Sequence, residues 1–182
     1  MTRPRLAYLG PEGTFTHQAA QRLAPDAALA PMGDLETVLA ALKAGEAELA
    51  AAALDSGAGE IAATRAALDA GWAVERARLA LPVSFDLYRR RGDAGALLGV
   101  YGHEKALMQI APWTSARGVA TEALASNTAG LARVRSEARP GWGAAGPAGL
   151  AAQFGLEVAA RALESPARYE TVFVLLGRKG DP

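Results

Sequence analysis

Cysteine is absent from this chain of 182 residues, which excludes disulfides, thiolate nucleophiles and thiolate-bound metals. Histidine occurs only as His17 and His103, too few for an imidazole-built metal site, so no metal is expected. No apolar run reaches the roughly 18 residues of a membrane span. The amino terminus also lacks the pattern of a secretory signal. Neither sign of charge prevails, with 19 basic and 19 acidic residues. Lysine is scarce (Lys43, Lys105, Lys179), and the one basic run, Arg89-Arg90-Arg91, is expected to end a strand and face water. Nothing here forms a basic face for nucleic acid. The expectation is a soluble, cytoplasmic chain with no nucleic-acid or membrane partner. Aromatics make up only 6% while half the residues are hydrophobic, many of them alanine. Such a core relies on close helix–sheet approach.

What is present is an alternation of strand-like and helix-like segments. Leu6–Leu9 reads as a strand. Asp34 caps a helix to Lys43 that carries Leu35, Val38, Leu39 and Leu42 at helical spacing, with Gly45 as its stop. Glu48–Leu54 reads as a buried strand, followed by a turn at Asp55-Ser56-Gly57 and a helix from Glu60 to Ala70. From Ala77 to Leu87 every second residue is apolar, the period of a strand with one buried face. Pro82 confines that strand to an edge or to a crossover between lobes. A second series follows: strand Leu97–Tyr101, helix Glu104–Ala111, strand Gly118–Thr121, a helix capped by Asn127, strand Trp142–Gly146, and a helix opened by Pro147 and ended by Gly155. Thr171–Leu176 is an apolar run suited to a fully buried strand. The order βαβα, crossover, βαβα, return strand implies an α/β protein of two lobes. Ligands of such sheets bind beyond the carboxyl ends of strands, here expected in the cleft between lobes.

The stretch Tyr8-Leu9-Gly10-Pro11-Glu12-Gly13-Thr14-Phe15-Thr16-His17-Gln18-Ala19-Ala20 is the most informative. A strand runs into a Gly-bracketed Pro-Glu turn, then two hydroxyls at the mouth of a helix, where backbone N–H groups and the helix dipole favour an anion. The loop lacks the lysine of a phosphate-binding loop and the spacing of a dinucleotide fingerprint, so a carboxylate suits it better than a nucleotide. An ordinary strand-to-helix turn accounts for the glycines equally well.

That string closely resembles the opening motif of prephenate dehydratases, and the resemblance continues over nearly the whole chain. The family's Pro-Ile-Glu-Asn-Ser loop falls on Ala52-Ala53-Leu54-Asp55-Ser56, with Gly59 retained. Its Ser-His segment ending in Leu-x-Gln-Cys falls on Gly102-His103 through Leu107-Met108-Gln109-Ile110. Its Ser-Thr-Ala loop falls on Asn127-Thr128-Ala129 and its Tyr-Gly-Leu segment on Phe154-Gly155-Leu156. The terminal Asn-x-Thr-Arg-Phe falls on Tyr169-Glu170-Thr171-Val172-Phe173, keeping the threonine and phenylalanine but neither the asparagine nor the arginine.

The resemblance implies a two-lobed, periplasmic-binding-protein-like (type II) α/β fold. Residues 1–80 with 168–182 would form lobe 1 and residues 81–167 lobe 2. It implies a lyase that converts prephenate to phenylpyruvate, CO2 and water in phenylalanine biosynthesis. Thr171 would be the catalytic donor to the departing hydroxyl. Thr14, Thr16, Asp55, Ser56, His103, Gln109, Asn127, Thr128 and Phe173 would bind the substrate, a small dicarboxylate. Aromatisation with loss of hydroxyl and carboxyl needs no cofactor. Family members usually continue into a regulatory ACT domain, absent from this sequence, so feedback through such a domain is not expected. Their catalytic domains tend to pair, which implies a homodimer.

Bland roles compete at several positions: Thr171 also suits a strand by propensity, Ser56 a turn, and His103 or Thr14 a helix cap. Val172 cannot bind an anion. Loss of a desolvated charge-assisted contact costs about 2–5 kcal/mol, roughly 30- to several-thousand-fold in rate or affinity. The expected enzyme is therefore weakened or altered, unless Arg133, Arg161 or Arg168 substitutes. The alternatives are an inactive homologue that binds an aromatic-pathway carboxylate, and a lyase of related substrate using Asp55 as acid or base.

Overall fold

A computed structural model describes residues 3–56, 59–137, 139–164 and 169–181. Gly57 and Arg168, both invoked above, lie outside the described residues. The chain divides into two compact units, Met1–Val83 with Tyr169–Pro182, and Ser84–Arg168.

The first unit contains β1 (Arg5–Leu9), α1 (Phe15–Leu23), β2 (Ala28–Met32), α2 (Leu35–Ala44), β3 (Leu49–Asp55), α3 (Ala62–Asp69) and β4 (Ala73–Val83). The second contains β5 (Phe85–Arg90), β6 (Gly99–His103), α4 (Glu104–Gln109), α5 (Ala111–Ser115), β7 (Ala120–Leu124), α6 (Asn127–Glu137), β8 (Trp142–Pro147), α7 (Ala151–Phe154) and β9 (Leu156–Ala160). The chain then returns to the first unit as β10 (Tyr169–Arg178).

The first sheet runs β2-β1-β3-β10-β4 and the second β7-β6-β8-β5-β9. In each, the first three strands in this order are parallel, and the third meets an antiparallel strand, β10 of the return in the first sheet and β5 after the crossover in the second. This is the two-lobed type II α/β class expected from the sequence.

The first sheet is buried on both faces, which suits its alanine and leucine runs. On one face α2 and α3 cover Leu54, Val174 and Leu176 with Val38 and Leu42, and Val172 packs against this cluster. On the other face α1 covers Leu6, Tyr8, Ala51 and Leu175, and Ala19 meets Leu81 and Phe173. Asp34 caps α2 as its sequence position predicts, accepting the Thr37 N–H at 2.6 Å. In the second unit the aromatics Tyr88, Tyr101 and Trp142 pack with Leu131 and Val134 to form its core. Gly99 is required there, because a Cβ would run into the Trp142 indole.

Several expectations need correction. The strand expected over Ala77–Leu87 is two strands that break at Ser84, the point where the chain changes unit. Pro82 is accommodated because β4 is an edge strand. Asn127 does not cap α6. The Ser126 hydroxyl accepts the Ala129 N–H at 3.0 Å and performs that task. Pro147 ends β8 instead of opening a helix, and α7 begins at Ala151. In the arginine triplet, Arg90 and Arg91 face water, but Arg89 is buried and ion-paired to Asp93 at 3.0 Å.

Candidate functional site

In the first unit the loop between β1 and α1 is built on Thr14. Its Oγ1 accepts the His17 N–H at 3.1 Å, capping α1, and its hydroxyl donates to the Leu9 carbonyl at 3.4 Å. His17 Nδ1 reaches back and accepts the Gly13 N–H at 3.0 Å. Gly13 has φ 87°, a left-handed conformation that favours glycine. Thr16 lies half-buried in the first turn. The His17 ring stacks on Tyr8, with centroids 5.3 Å apart and planes at 26°. Burial holds the His17 pKa below the usual histidine range, with the Glu12 charge acting in the opposite direction. Burial, with Glu12 adding to it, pushes the Tyr8 phenol up to about 12. Tyr8 and His17 were not among the expected site residues. The signal for His17 is its place three residues after a threonine cap, where glutamate or glutamine reaches back in a capping box.

Strand register brings other expected residues to the same end of this sheet. β3 is parallel to β1 and ends at Asp55, which pairs with Val172 near the start of β10. Thr171, beside Leu81 of β4, alternates with Phe173 and so lies on the α1 face. It is 8% exposed, and among the described residues no hydrogen bond engages its hydroxyl. Phe173 is buried against Ala19 and Leu81, a packing role. Ser56 serves a turn: its N–H and hydroxyl both donate to the Gly59 carbonyl, at 3.1 and 3.2 Å. Val172 lies on the opposite face from Thr171, in the cluster that also holds Leu54. The two positions where the family's charged side chains are replaced thus share one apolar face.

In the second unit, His103 and Asn127 come together: Asn127 Oδ1 accepts the His103 N–H at 2.8 Å. His103 Nδ1 caps α4 by accepting the Lys105 N–H at 3.3 Å. Thr128 is buried, with its hydroxyl 2.9 Å from that of Ser126. Gln109 Oε1 is buried without a hydrogen-bond partner among the described residues. Of the arginines considered as substitutes, the two among the described residues are engaged in ion pairs. Arg133 pairs with Glu122 and Glu137, and Arg161 with the buried Asp86 at 3.2 Å. At the far end of the first sheet, a cavity of about 530 Å³ is lined by Glu48, Arg76, Arg178 and Asp181. Its arginines are likewise committed, to the Arg178 and Asp181 carbonyls and the Asp181 carboxylate. Among the described residues no group of three acidic, histidine or cysteine side chains can hold a metal ion, and no helix is long and apolar enough to cross a membrane.

The family model described as prephenate dehydratase matches residues 6–181. The chain belongs to the prephenate dehydratase family. A prephenate dehydratase of Mycolicibacterium vanbaalenii is 32% identical over 98% of this chain and 63% of its own length. The prephenate dehydratase of Arthrobacter aurescens, solved in complex with L-Phe, superposes with a TM-score of 0.84 at 26% identity, covering 97% of this chain and 61% of that one. GqqA, described as a novel type of quorum-quenching acylase, gives a TM-score of 0.82 at 22% identity, over 98% of this chain and 65% of that one. The last likeness shows the fold alone. This chain therefore spans less than two thirds of the length of these relatives. In prephenate dehydratase terms, the threonine of the terminal motif is kept as Thr171, while the motif's charged position faces the α2 and α3 side as Val172.

Proposed function

We propose that this chain carries prephenate dehydratase activity: a lyase reaction giving phenylpyruvate, CO2 and water. The observation that carries the reading is Thr171, kept in its motif within a family match over residues 6–181 and positioned with an unengaged hydroxyl at the sheet end that holds the β1–α1 loop. The electron pair of the breaking carboxyl bond enters the ring and expels the ring hydroxyl. Thr171 hydrogen-bonds to that departing oxygen, which leaves as water after taking up one proton. Thr14 and Thr16 at the start of α1 bind one carboxylate of the substrate, aided by the dipole of that helix. Asn127 and Thr128 at the start of α6 bind the other. Asp55 and Ser56 shape the neighbouring turn, and His103 and Gln109 complete the polar lining. Helix starts and hydroxyls do this without the family arginine. The family also suggests a cytoplasmic homodimer.

Thr171→Val removes the hydroxyl while keeping the β-branched shape that suits the strand. Turnover of prephenate, followed as the enol of phenylpyruvate in alkali, should fall about 10²–10⁴-fold, with little change in thermal stability. Wild-type protein that yields no product above the spontaneous reaction at neutral pH refutes the proposal.

A further inference from the structure

We propose that His17 is a positioning residue for substrate binding: its Nδ1 holds the Gly13 N–H and thereby fixes the loop that presents Thr14 and Thr16. The inference rests on the reading that this loop binds a substrate carboxylate. Two hydrogen bonds run in opposite directions across the helix start, Thr14 accepting from the His17 amide and His17 accepting from the Gly13 amide. Each fixes the other's geometry, in the manner of a capping box. A histidine differs from glutamate or glutamine in this place, because acceptance at Nδ1 demands the neutral ring with its proton on Nε2. The Tyr8 ring stacks on the imidazole that accepts this bond.

Protonation converts the acceptor into a donor facing a donor. The Gly13 amide then loses its partner, and the loop loses its latch. Glu12 in the loop is the charged group acting on His17. From β1 it meets the phenol of Tyr8, and the neighbouring face of β2, β3, β4 and β10 contributes Leu29, Ala53, Leu81 and Phe173. Arg22, the other charged residue on α1, lies in its last turn. Burial lowers the His17 pKa, so the neutral, latching form prevails at pH 7 and is lost as the pH falls below the ordinary histidine range.

The test compares wild type, His17→Leu, which removes the acceptor, and His17→Gln, which supplies another. KM and kcat for prephenate are measured from pH 5.5 to 8.5, with the spontaneous reaction subtracted. His17→Leu should raise KM at pH 7.5 about tenfold, the equivalent of one lost hydrogen bond, with kcat within threefold. His17→Gln should restore KM to within threefold of wild type and abolish the rise in KM that wild type shows toward acid pH. Equal KM values in all three proteins, or the same acid limb in wild type and His17→Gln, overturn the proposal. Nitrogen NMR of the wild-type ring provides an arm independent of turnover. An unprotonated Nδ1 at pH 7.5, with Gly13 amide exchange accelerating as the ring titrates, supports the latch, and a protonated Nδ1 at that pH refutes it. Absence of wild-type turnover would refute the dehydratase reading alone and leave His17 to be decided by this spectrum.

Discussion

Tyr8 in the first unit and Tyr88 in the second are both fully buried, yet only Tyr88 has a place for its hydroxyl. Tyr88 donates to the Pro147 carbonyl at 2.6 Å and accepts the Leu150 N–H at 3.3 Å, tying β5 to the end of β8 and the start of α7. Tyr8 Oη has no hydrogen-bond partner among the described residues. The difference extends beyond these two rings. The first sheet presents alanine, leucine and valine to its helices, whereas the second unit buries Asp86 under Arg161 and Arg89 against Asp93. In the second unit the Tyr88 hydroxyl and the Asp86 carboxylate are matched within the fold, while Gln109 Oε1 is buried without a hydrogen-bond partner among the described residues. In the first, the buried polar side chains are few: Thr64 of α3 donates to the Ala53 carbonyl, while Tyr8 and Thr171 lie on the α1 face, where the proposed substrate loop is built. A buried polar group without a partner costs free energy, so its retention at that place is informative.

The largest effect should come from putting charge back into the apolar face of the first unit. Val172 and Leu54 lie in one cluster on neighbouring strands. Replacing a buried ion pair by packed hydrocarbon is often neutral or stabilising, whereas one unpaired charge is costly. Val172→Arg alone should therefore lower stability by about 2–4 kcal/mol, read from urea denaturation, and should not raise dehydratase turnover. Leu54→Glu together with Val172→Arg should recover at least half of the loss. A gain in turnover with unchanged stability in the single variant would mean that position 172 reaches the substrate after all, and that the two faces of this sheet are not as separate as their packing indicates.

The next effect belongs to the second unit. Tyr88→Phe leaves a buried carbonyl and a buried amide unmatched, at a cost of about 1–3 kcal/mol, measurable as a lowered urea midpoint with unchanged slope. A loss under half a kilocalorie would show that water replaces the hydroxyl and that the contrast with Tyr8 is smaller than drawn.

Much of this arrangement is legible in the amino-acid order. Asp34, Gly45 and Thr14 mark helix ends because capping is local chemistry, and Thr171–Leu176 announces a buried strand by its unbroken apolar run. What escapes detection has physical causes. β2 and β9 are edge strands; Pro31 interrupts the first, and Glu157 sits within the second. α5 has only five residues, with Pro112 in its first turn. Ser126 rather than Asn127 caps α6 because Asn127 is drawn to the His103 amide on a neighbouring strand, a tertiary contact with no local trace. Arg89 looks solvated within an arginine triplet, but β5 is an interior strand buried from Phe85 to Arg89, and the Asp93 carboxylate pairs the guanidinium there. His17 escapes because its partner is a backbone amide, and backbone amides leave no mark in a sequence.

The smallest change is expected at Tyr8, and it tests the contrast most directly. Tyr8→Phe removes a hydroxyl that satisfies nothing, so stability at pH 7 should stay within about 0.5 kcal/mol of wild type or rise. The alkaline side should separate the two proteins. Burial holds the folded phenol at about 12, against about 10 in an unfolded chain. Between these values the unfolded state releases its proton first and binds fewer protons than the native state, so stability falls as pH rises from about 10 to 12. Tyr8→Phe should lack that part of the slope, seen as a smaller difference in urea midpoint between pH 9 and pH 11 than in wild type. Tyr88, also raised by burial, contributes equally to both proteins and cancels in the comparison. A Tyr8→Phe variant that loses 1 kcal/mol or more at pH 7 would mean that its hydroxyl is matched in solution, by a trapped water for instance, and the first unit would then obey the same rule as the second.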